Sequence, residues 1–472
     1  MTGYDLLAEA DADDECRAWV RNLINAKQDV VAFVDSRLGG QGRGEYLGFF
    51  KGSFNVCFHI GFGDRQHSAL IRFAKPGHTL SAWRDEKVLN EVRVIEYLRD
   101  HTTIPVPNIR SWGLSDGSPA QLGPFIIMDF IEGVRLSRLL REDPEDDQAE
   151  LILDPAIPSA TLDTIYDQLA SYLLQLSRLT FPSVGAISKD PTTQTWSVAN
   201  RPLTFNMNEL ATNAGFPFSH LPTSPFPTAT SFLESLTETH LHHLQSQRNI
   251  CPDEQSVRRR FIARHRLKQL IPSYVTQDDG QFPLFSDDLQ PTNILIDPFT
   301  LQITGIIDWE FTNAMPAQFT HDPPWWLLLR GPDMWVERFG LDQFLERYVP
   351  RMEQFLRAME RAEAREAEDR HEEFVGDGIT RREQPEERLS AKMRASWETG
   401  QFWFDYAART SLDVDDIYWS ALHDHGREGG GEGVVEAVGR GNLEALAKVK
   451  MEQFKEYEEE GAVRFRLDDE EN

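Results

Sequence analysis

Phe285-Ser286-Asp287-Asp288-Leu289-Gln290-Pro291-Thr292-Asn293-Ile294-Leu295-Ile296-Asp297, with Gly305-Ile306-Ile307-Asp308-Trp309-Glu310 close behind it, decides the fold of this chain. The runs Asn293-Ile294-Leu295-Ile296 and Ile303-Thr304-Gly305-Ile306-Ile307 are apolar and β-branched, and Asp297-Pro298 marks a turn between them. Two such runs predict an antiparallel hairpin. An acidic loop, Asp287-Asp288, leads into its first strand, and Asp308 stands at the exit of its second. Taken singly, Asp288 reads as a turn former, Asn293 as a strand-edge cap and Asp308 as a loop acid. Taken together, the hairpin brings all three to one place.

Working outward, residues 14–40 read as one or two short helices. From Tyr46 the pattern turns to strand. Phe54, Val56, Phe58 and Ile60 alternate with Asn55, Cys57 and His59, a period-two signal. A turn at Gly61-Phe62-Gly63-Asp64 leads to Ala69-Leu70-Ile71-Arg72-Phe73, so a second hairpin is expected. Residues 84–100 place Val88, Val92, Ile95 and Leu98 on one face of a helix that Pro105 and Pro107 stop. Phe125-Ile126-Ile127-Met128 is a further strand. The order over residues 45–130 is therefore strand, strand, helix, strand. Beyond it the chain is mostly helical. Ile165, Leu169, Tyr172, Leu176 and Leu179 mark one helix. Residues 190–230 read as Pro/Thr/Ser-rich loop, and 231–272 as helix again. Residues 350–375 and 442–460 are charged helices with i,i+4 acid–base pairs. Between these two, the Gly-rich run His425 to Gly433 is expected to be flexible.

Asp288 and Asn293 fit the D-x-x-x-x-N pattern of a kinase catalytic loop. Phosphoryl transfer needs a carboxylate beside the attacking hydroxyl, and oxygen ligands for the magnesium that bridges the phosphates. Asp288 suits the first need, Asn293 and Asp308 the second. The sequence resembles the aminoglycoside phosphotransferase family, which includes choline-kinase-like and homoserine-kinase-like enzymes, and within it a fungal branch. That branch combines a D-D-[LF]-x-P-[ST]-N-[IVM]-L loop, an I-D-W-E-F segment and a D-P-P-W-W-L segment. Here they are Asp287 to Leu295, Ile307 to Phe311, and Asp322-Pro323-Pro324-Trp325-Trp326-Leu327. The resemblance covers residues 45–345.

It implies an α+β, protein-kinase-like two-lobed fold, with a small β-rich N-lobe and a large helical C-lobe. The N-lobe would span 45–130 and the C-lobe 131–345. A helical extension (1–44) and a charged helical part (346–472) would flank them. The implied function is ATP-dependent transfer of the γ-phosphate to a hydroxyl of a small molecule, with Mg²⁺ in the cleft. The implied catalytic residue is Asp288, and the metal ligands are Asn293 and Asp308. Lys51-Gly52-Ser53-Phe54-Asn55-Val56 resembles the family's short phosphate loop, which assigns Gly52, Ser53 and Asn55 to the nucleotide. Arg72 stands where kinases carry the phosphate-holding lysine, and a guanidinium grips phosphate bidentately. Glu91 would hold Arg72; Glu86 and Glu96 compete on the same helix, but Glu91, Ile95 and Leu98 match the family's E-x-x-x-[IL]-x-x-L. Met128 to Ile131 would form the hinge, with Met128 and Phe130 at the adenine edge.

Two residues depart from the pattern. Ser286 replaces a histidine whose role in relatives is mainly architectural, and Arg72 replaces the lysine. Both keep open an alternative: a weak or inactive pseudokinase serving as a nucleotide-binding or interaction module.

The remaining sequence excludes more than it assigns. Of 472 residues, 48 are basic and 76 acidic, so the net charge of −28 repels nucleic acid and anionic membranes. Cys16, Cys57 and Cys251 are too scattered for a disulfide framework or a zinc site. An acidic start without an apolar core, and no apolar run of spanning length, predict a cytoplasmic protein. His240, His242 and His243 lack a suitably placed carboxylate or cysteine partner for metal. The basic run Arg258 to Lys268 is expected to pair with neighbouring acids, and His423-Asp424-His425 to be a solvated loop. The acceptor would be selected by 190–250, 311–345 and the helices around Phe402 to Tyr418.

Overall fold

The structure, a computed structural model, describes residues 3–39, 44–63, 67–145, 150–275, 277–278, 280–373, 387–423 and 431–471. The first helix, α1 (Leu6–Asn25), begins where the Asp5 carboxylate accepts from the N–H groups of Leu7 and Ala8 at 3.0 and 3.2 Å, a side-chain cap on otherwise orphaned donors. It starts ahead of the expected 14–40 and is followed by α2 (Lys27–Arg37). The strands β1 (Gly44–Lys51), β2 (Asn55–Phe62) and β3 (His67–Ala74), the helix α3 (Arg84–His101), and the strands β4 (Ile109–Gly113) and β5 (Phe125–Asp129) complete the N-lobe. The strands form an antiparallel sheet in the order β1-β2-β3-β5-β4. The sequence reading passed over β4.

Strand alternation sorts this sheet into two faces. Val56, Phe58, Ile60, Ile71, Phe73, Phe125 and Ile127 pack against Trp19, Leu23, Val30, Val31 and Val34. The N-terminal helices therefore supply half of one N-lobe core. On the other face, Val88 and Val92 of α3 pack on Ala74, Ile126 and Met128, leaving Asn55, Cys57 and Arg72 on that same side.

The C-lobe opens with β6 (Val134–Arg135), α4 (Leu136–Leu140) and α5 (Ser159–Ser177). Next come β7 (Thr180–Phe181), β8 (Ala186–Lys189), β9 (Trp196–Asn200), α6 (Phe205–Asn213), α7 (Ala229–Ser246) and α8 (Glu254–Tyr274). Residues 190–230 thus hold a strand and a helix, the latter capped by the Thr204 hydroxyl. The stretch 231–272 is broken before α8, where Asp253 and Ser256 form a capping box.

The catalytic segment is β10 (Phe282–Ser286), β11 (Ile294–Ile296), β12 (Ile303–Ile306) and β13 (Thr312–Ala314). The predicted hairpin is present: Ile294 pairs with Ile306, and Leu295 with Gly305. Asn293 falls just before β11, in the single helical turn Pro291–Asn293. The Ile307 N–H donates to the Asn293 carbonyl at 2.9 Å, extending the ladder one step and setting Asn293 beside the exit to Asp308. The helices α9 (Ala317–Thr320), α10 (Pro332–Phe339), α11 (Leu341–Glu373), α12 (Leu389–Thr399), α13 (Gln401–Arg409), α14 (Val414–Ile417), α15 (Gly431–Val438) and α16 (Arg440–Glu471) follow. Asp424 and residues 425–430 of the expected flexible run lie outside the described residues, and the end of that run, Gly431 to Gly433, is helical as the start of α15. Among those described, no helix is long and apolar enough to cross a membrane.

Candidate active site

Asp288, Asn293 and Asp308 flank the ends of β10, β11 and β12, while Arg72 lies within β3 and Glu91 within α3. Asp288 follows β10. Its Oδ2 accepts from Asn293 Nδ2 at 2.9 Å, and its main-chain oxygen accepts from the same amide at 2.9 Å. Gln290 Nε2 donates to Asp288 Oδ1 at 2.5 Å. The Asp288–Asn293 pair is thus assembled with its loop folded around it. Asp308 lies beyond β12 with φ of +63°, a left-handed conformation uncommon outside glycine and best tolerated by Asn and Asp. Burial, then the Asp308 charge, push the Asp288 carboxyl up to about 7.

Above this pair, Arg72 is buried beneath the sheet. One guanidinium nitrogen lies 2.6 Å from Glu91 Oε1 and 2.7 Å from Asp308 Oδ1. The other pairs with Glu310. The structure therefore brings together Arg72, Glu91, Asp308, Asp288 and Asn293, all named from the sequence. Glu86 bonds Arg201 instead, and Glu96 bonds Arg93.

Two residues of the cluster were missed. Lys87, 1% exposed, points its Nζ at Glu310 Oε2, 2.7 Å away, and donates to Asn55 Oδ1 at 3.1 Å. Glu310 also accepts from Asn55 Nδ2 at 2.8 Å. Burial pushes the Glu310 carboxyl up, but Lys87 and Arg72 outweigh it and hold it below its ordinary value. One signal was present in the sequence: Lys87 precedes Glu91 by one helical turn, on the same face. Glu310 stood inside the quoted segment without a role.

The remaining expected nucleotide contacts are less closely assembled. Gly52 and Ser53 are exposed in the turn after β1, closed by Gly52 N–H to the Asn55 carbonyl at 2.9 Å. A Cβ at position 52 would meet only that carbonyl, at 3.6 Å, so the turn itself does not require glycine. Met128 is flanked by β3 and β4 and its side chain packs on α3. It therefore lies within the sheet rather than beyond its edge. The Phe130 N–H faces the Ser68 carbonyl at 3.4 Å, and its ring stacks on His59 at 4.2 Å and on Phe50 at 6.1 Å.

His240 and His243, two of the three clustered histidines, are fully buried packing residues. His240 lies 3.1 Å from the Ala408 carbonyl and 2.9 Å from Ser411 Oγ, and His243 lies 3.1 Å from Arg264 Nη1. The basic helix α8 pairs with acids: Arg260 and Arg264 with Asp415, Arg259 with Asp416, Lys268 with Glu238. Among the described residues, the group suited to a metal ion is Glu91, Asp308 and Glu310, whose oxygens lie within 4.8 Å of one another.

A small β-rich lobe above a helical lobe, meeting at a paired Asp–Asn loop and a buried Arg–Glu pair, is a protein-kinase-like fold. The chain belongs to the phosphotransferase enzyme family (APH), whose family model matches residues 55–355. No curated protein matches it. Among solved structures, a Ralstonia eutropha protein described as an aminoglycoside phosphotransferase is 15% identical with a TM-score of 0.42, over 91% of this chain and 98% of that one. The aminoglycoside phosphotransferase APH(4)-Ia is 14% identical with a TM-score of 0.41, over 90% and 99%. Plasmodium vivax ethanolamine kinase is 13% identical with a TM-score of 0.41, over 88% and 82%.

Proposed function

We propose that the protein transfers the γ-phosphate of ATP to a hydroxyl of a small molecule. The observation that carries this reading is the Asp288–Asn293 pair, set beside Asp308 beneath the buried Arg72–Glu91 pair. Asp288 accepts the acceptor's hydroxyl proton as the oxygen–phosphorus bond forms and the bond to ADP breaks. A carboxyl poised near neutrality suits that exchange. Arg72 holds the phosphates, and Glu91 holds Arg72.

The donor set fits Mg²⁺, which takes oxygen ligands. Glu91, Asp308 and Glu310 share two close cations, Arg72 and Lys87, and burial pushes the Glu91 carboxyl up to about 7. Asn293 and Asp308 would hold the ion, which when bound neutralises charge on the phosphates. Asp308, paired here with Arg72, would supply one oxygen to the ion, and Glu91 would keep the Arg72 guanidinium in place for phosphate.

The acceptor side supports an amine-bearing substrate. Burial, then Asp413, Asp333, Asp288 and Asp287 in turn, push the Glu209 carboxyl up to about 8. Those acids come from α6, the catalytic loop, the start of α10 and the approach to α14. A cationic acceptor would relieve their mutual repulsion.

The test is incubation with ATP, Mg²⁺ and a metabolite pool, followed by mass spectrometry. The expected result is a gain of one phosphate on an amine-containing alcohol, absent with Asp288→Asn. No phosphorylated metabolite would overturn the reading. The inactive-module alternative draws on one observation, the enclosure of Arg72 by three carboxylates. It predicts Mg·ATP binding without any release of ADP.

A further inference from the structure

The family match ends at residue 355, yet the underside of the catalytic loop is built from beyond it. Arg409 closes α13, and its side chain is only 8% exposed. Its Nη1 lies 3.1 Å from Asp287 Oδ1, and its Nη2 lies 3.7 Å from Asp322 Oδ2. The guanidinium carbon sits 4.9 Å from the Phe285 ring centre and 5.0 Å from that of Phe319. Its Nε donates to the Asp405 carbonyl at 3.2 Å. One planar cation thus touches the residue before Asp288, a second buried carboxylate after the hairpin, and the aromatic residue that ends β10's approach to the loop.

We propose that Arg409 is the positioning residue for Asp288, and that the C-terminal helices are part of the catalytic unit. The proposal rests on the phosphotransfer reading above. Ser286 offers the loop little purchase of its own. Its short side chain borders a cavity of about 60 Å³ lined also by Leu289, Phe319, Asp322 and Arg409. In that setting the loop is fixed from below by α13. Asp322 is secured in turn by the Ser396 hydroxyl of α12 at 2.5 Å, so the anchor does not depend on a mobile partner. An arginine is suited to this work because its rigid fork reaches two carboxylates while its face lies on aromatic rings. A lysine supplies the charge but not the fork.

Asp287 carries the effect along the chain. If Arg409 is removed, Asp287 and Asp322 remain largely buried without their shared cation, and the loop turns to solvate the former. Asp288, next in sequence, moves with it. A displacement of about 1 Å in a catalytic group costs about 100-fold in rate. Arg72 is held by Glu91, Asp308 and Glu310 rather than by the Asp287–Asp288 loop, so the phosphate-holding group keeps its own anchors.

The test uses the full chain, with Mg·ATP affinity from calorimetry and ATP hydrolysis with water as acceptor. Arg409→Met is expected to bind Mg·ATP within about threefold of wild type while its turnover falls about 100-fold. Arg409→Lys is expected to recover only part of that loss. Wild-type turnover in Arg409→Met, or equal losses of affinity and turnover, would overturn the proposal. If Arg409→Met does not fold, Asp322→Asn in the same background removes the more deeply buried stranded charge and leaves Asp287 on the loop without its cation. That double variant is expected to fold and stay slow, and wild-type turnover there would refute the role. Failure of the wild type to bind or hydrolyse Mg·ATP would instead count against the phosphotransfer reading.

Discussion

Lys87 shows what a buried charge does when a pattern search passes over it. The sequence offered no lysine in β3, and Arg72 was expected to act with Glu91 alone. In the fold, Lys87 and Arg72 share Glu310, and Lys87 also orders Asn55 of the expected phosphate turn. Stripping one partner from a buried pair costs about 3–5 kcal/mol, chiefly by stranding the other charge. Lys87→Met should therefore lower the unfolding free energy by that amount in urea titrations. Adding Glu310→Gln should return a large part of it; a Lys87→Met variant as stable as wild type would contradict the pairing. Asp308 makes a separate prediction. Its positive φ is tolerated by asparagine, so Asp308→Asn should melt close to wild type yet lose the extra thermal shift that Mg²⁺ adds to ATP. The motif residues were legible because short local patterns place them. Lys87 and Glu310 were not, because their meaning arises only when α3 and the segment after β12 come together.

At the scale of elements, the strands and the hairpin were readable from alternation and turn chemistry, while the first helices were underestimated. The acids of α1 hide a stripe formed by Leu7, Cys16, Trp19 and Leu23 that is buried against the sheet and its neighbours. Trp19 stands at its centre. It donates to the Leu122 carbonyl at 2.8 Å and meets the Phe73 ring edge-on at 6.4 Å. Trp19→Ala should cost about 3–5 kcal/mol, read as an early loss of N-lobe cooperativity on heating. An unchanged transition would mean that α1 is dispensable to the sheet. The strand β4 was missed because a few residues just beyond Pro107 carry too little periodicity to separate strand from loop. The C-terminal helices were seen as charged segments, but which of their residues would reach the catalytic loop depends on tertiary packing.

For the whole molecule, the excess of acid is not all solvated surface. Glu209 and Asp413 are both pushed up to about 8, by burial first and then by neighbouring carboxylates. Their folded values stand above their unfolded ones, so the native state binds protons that the unfolded chain does not. Stability should rise as pH falls from 8.5 to 6.5, the opposite of a salt-bridged carboxylate. Glu209→Gln should flatten this rise by on the order of 1 kcal/mol in urea titrations at the two pH values. A wild type equally stable at both would contradict it. Below about 6.5 the trend should weaken, because His240 and His243 are buried and resist protonation, whereas the unfolded chain does not. Asp288 is among the carboxylates that act on Glu209.

The most direct measurement is the Mg²⁺-dependent release of ADP from ATP by the wild type and by Asp288→Asn, with ATP affinity measured on both. The account predicts similar affinities and a turnover lower by about 100- to 10,000-fold in the variant. Equal turnover, or no Mg²⁺-dependent release from the wild type, would contradict it.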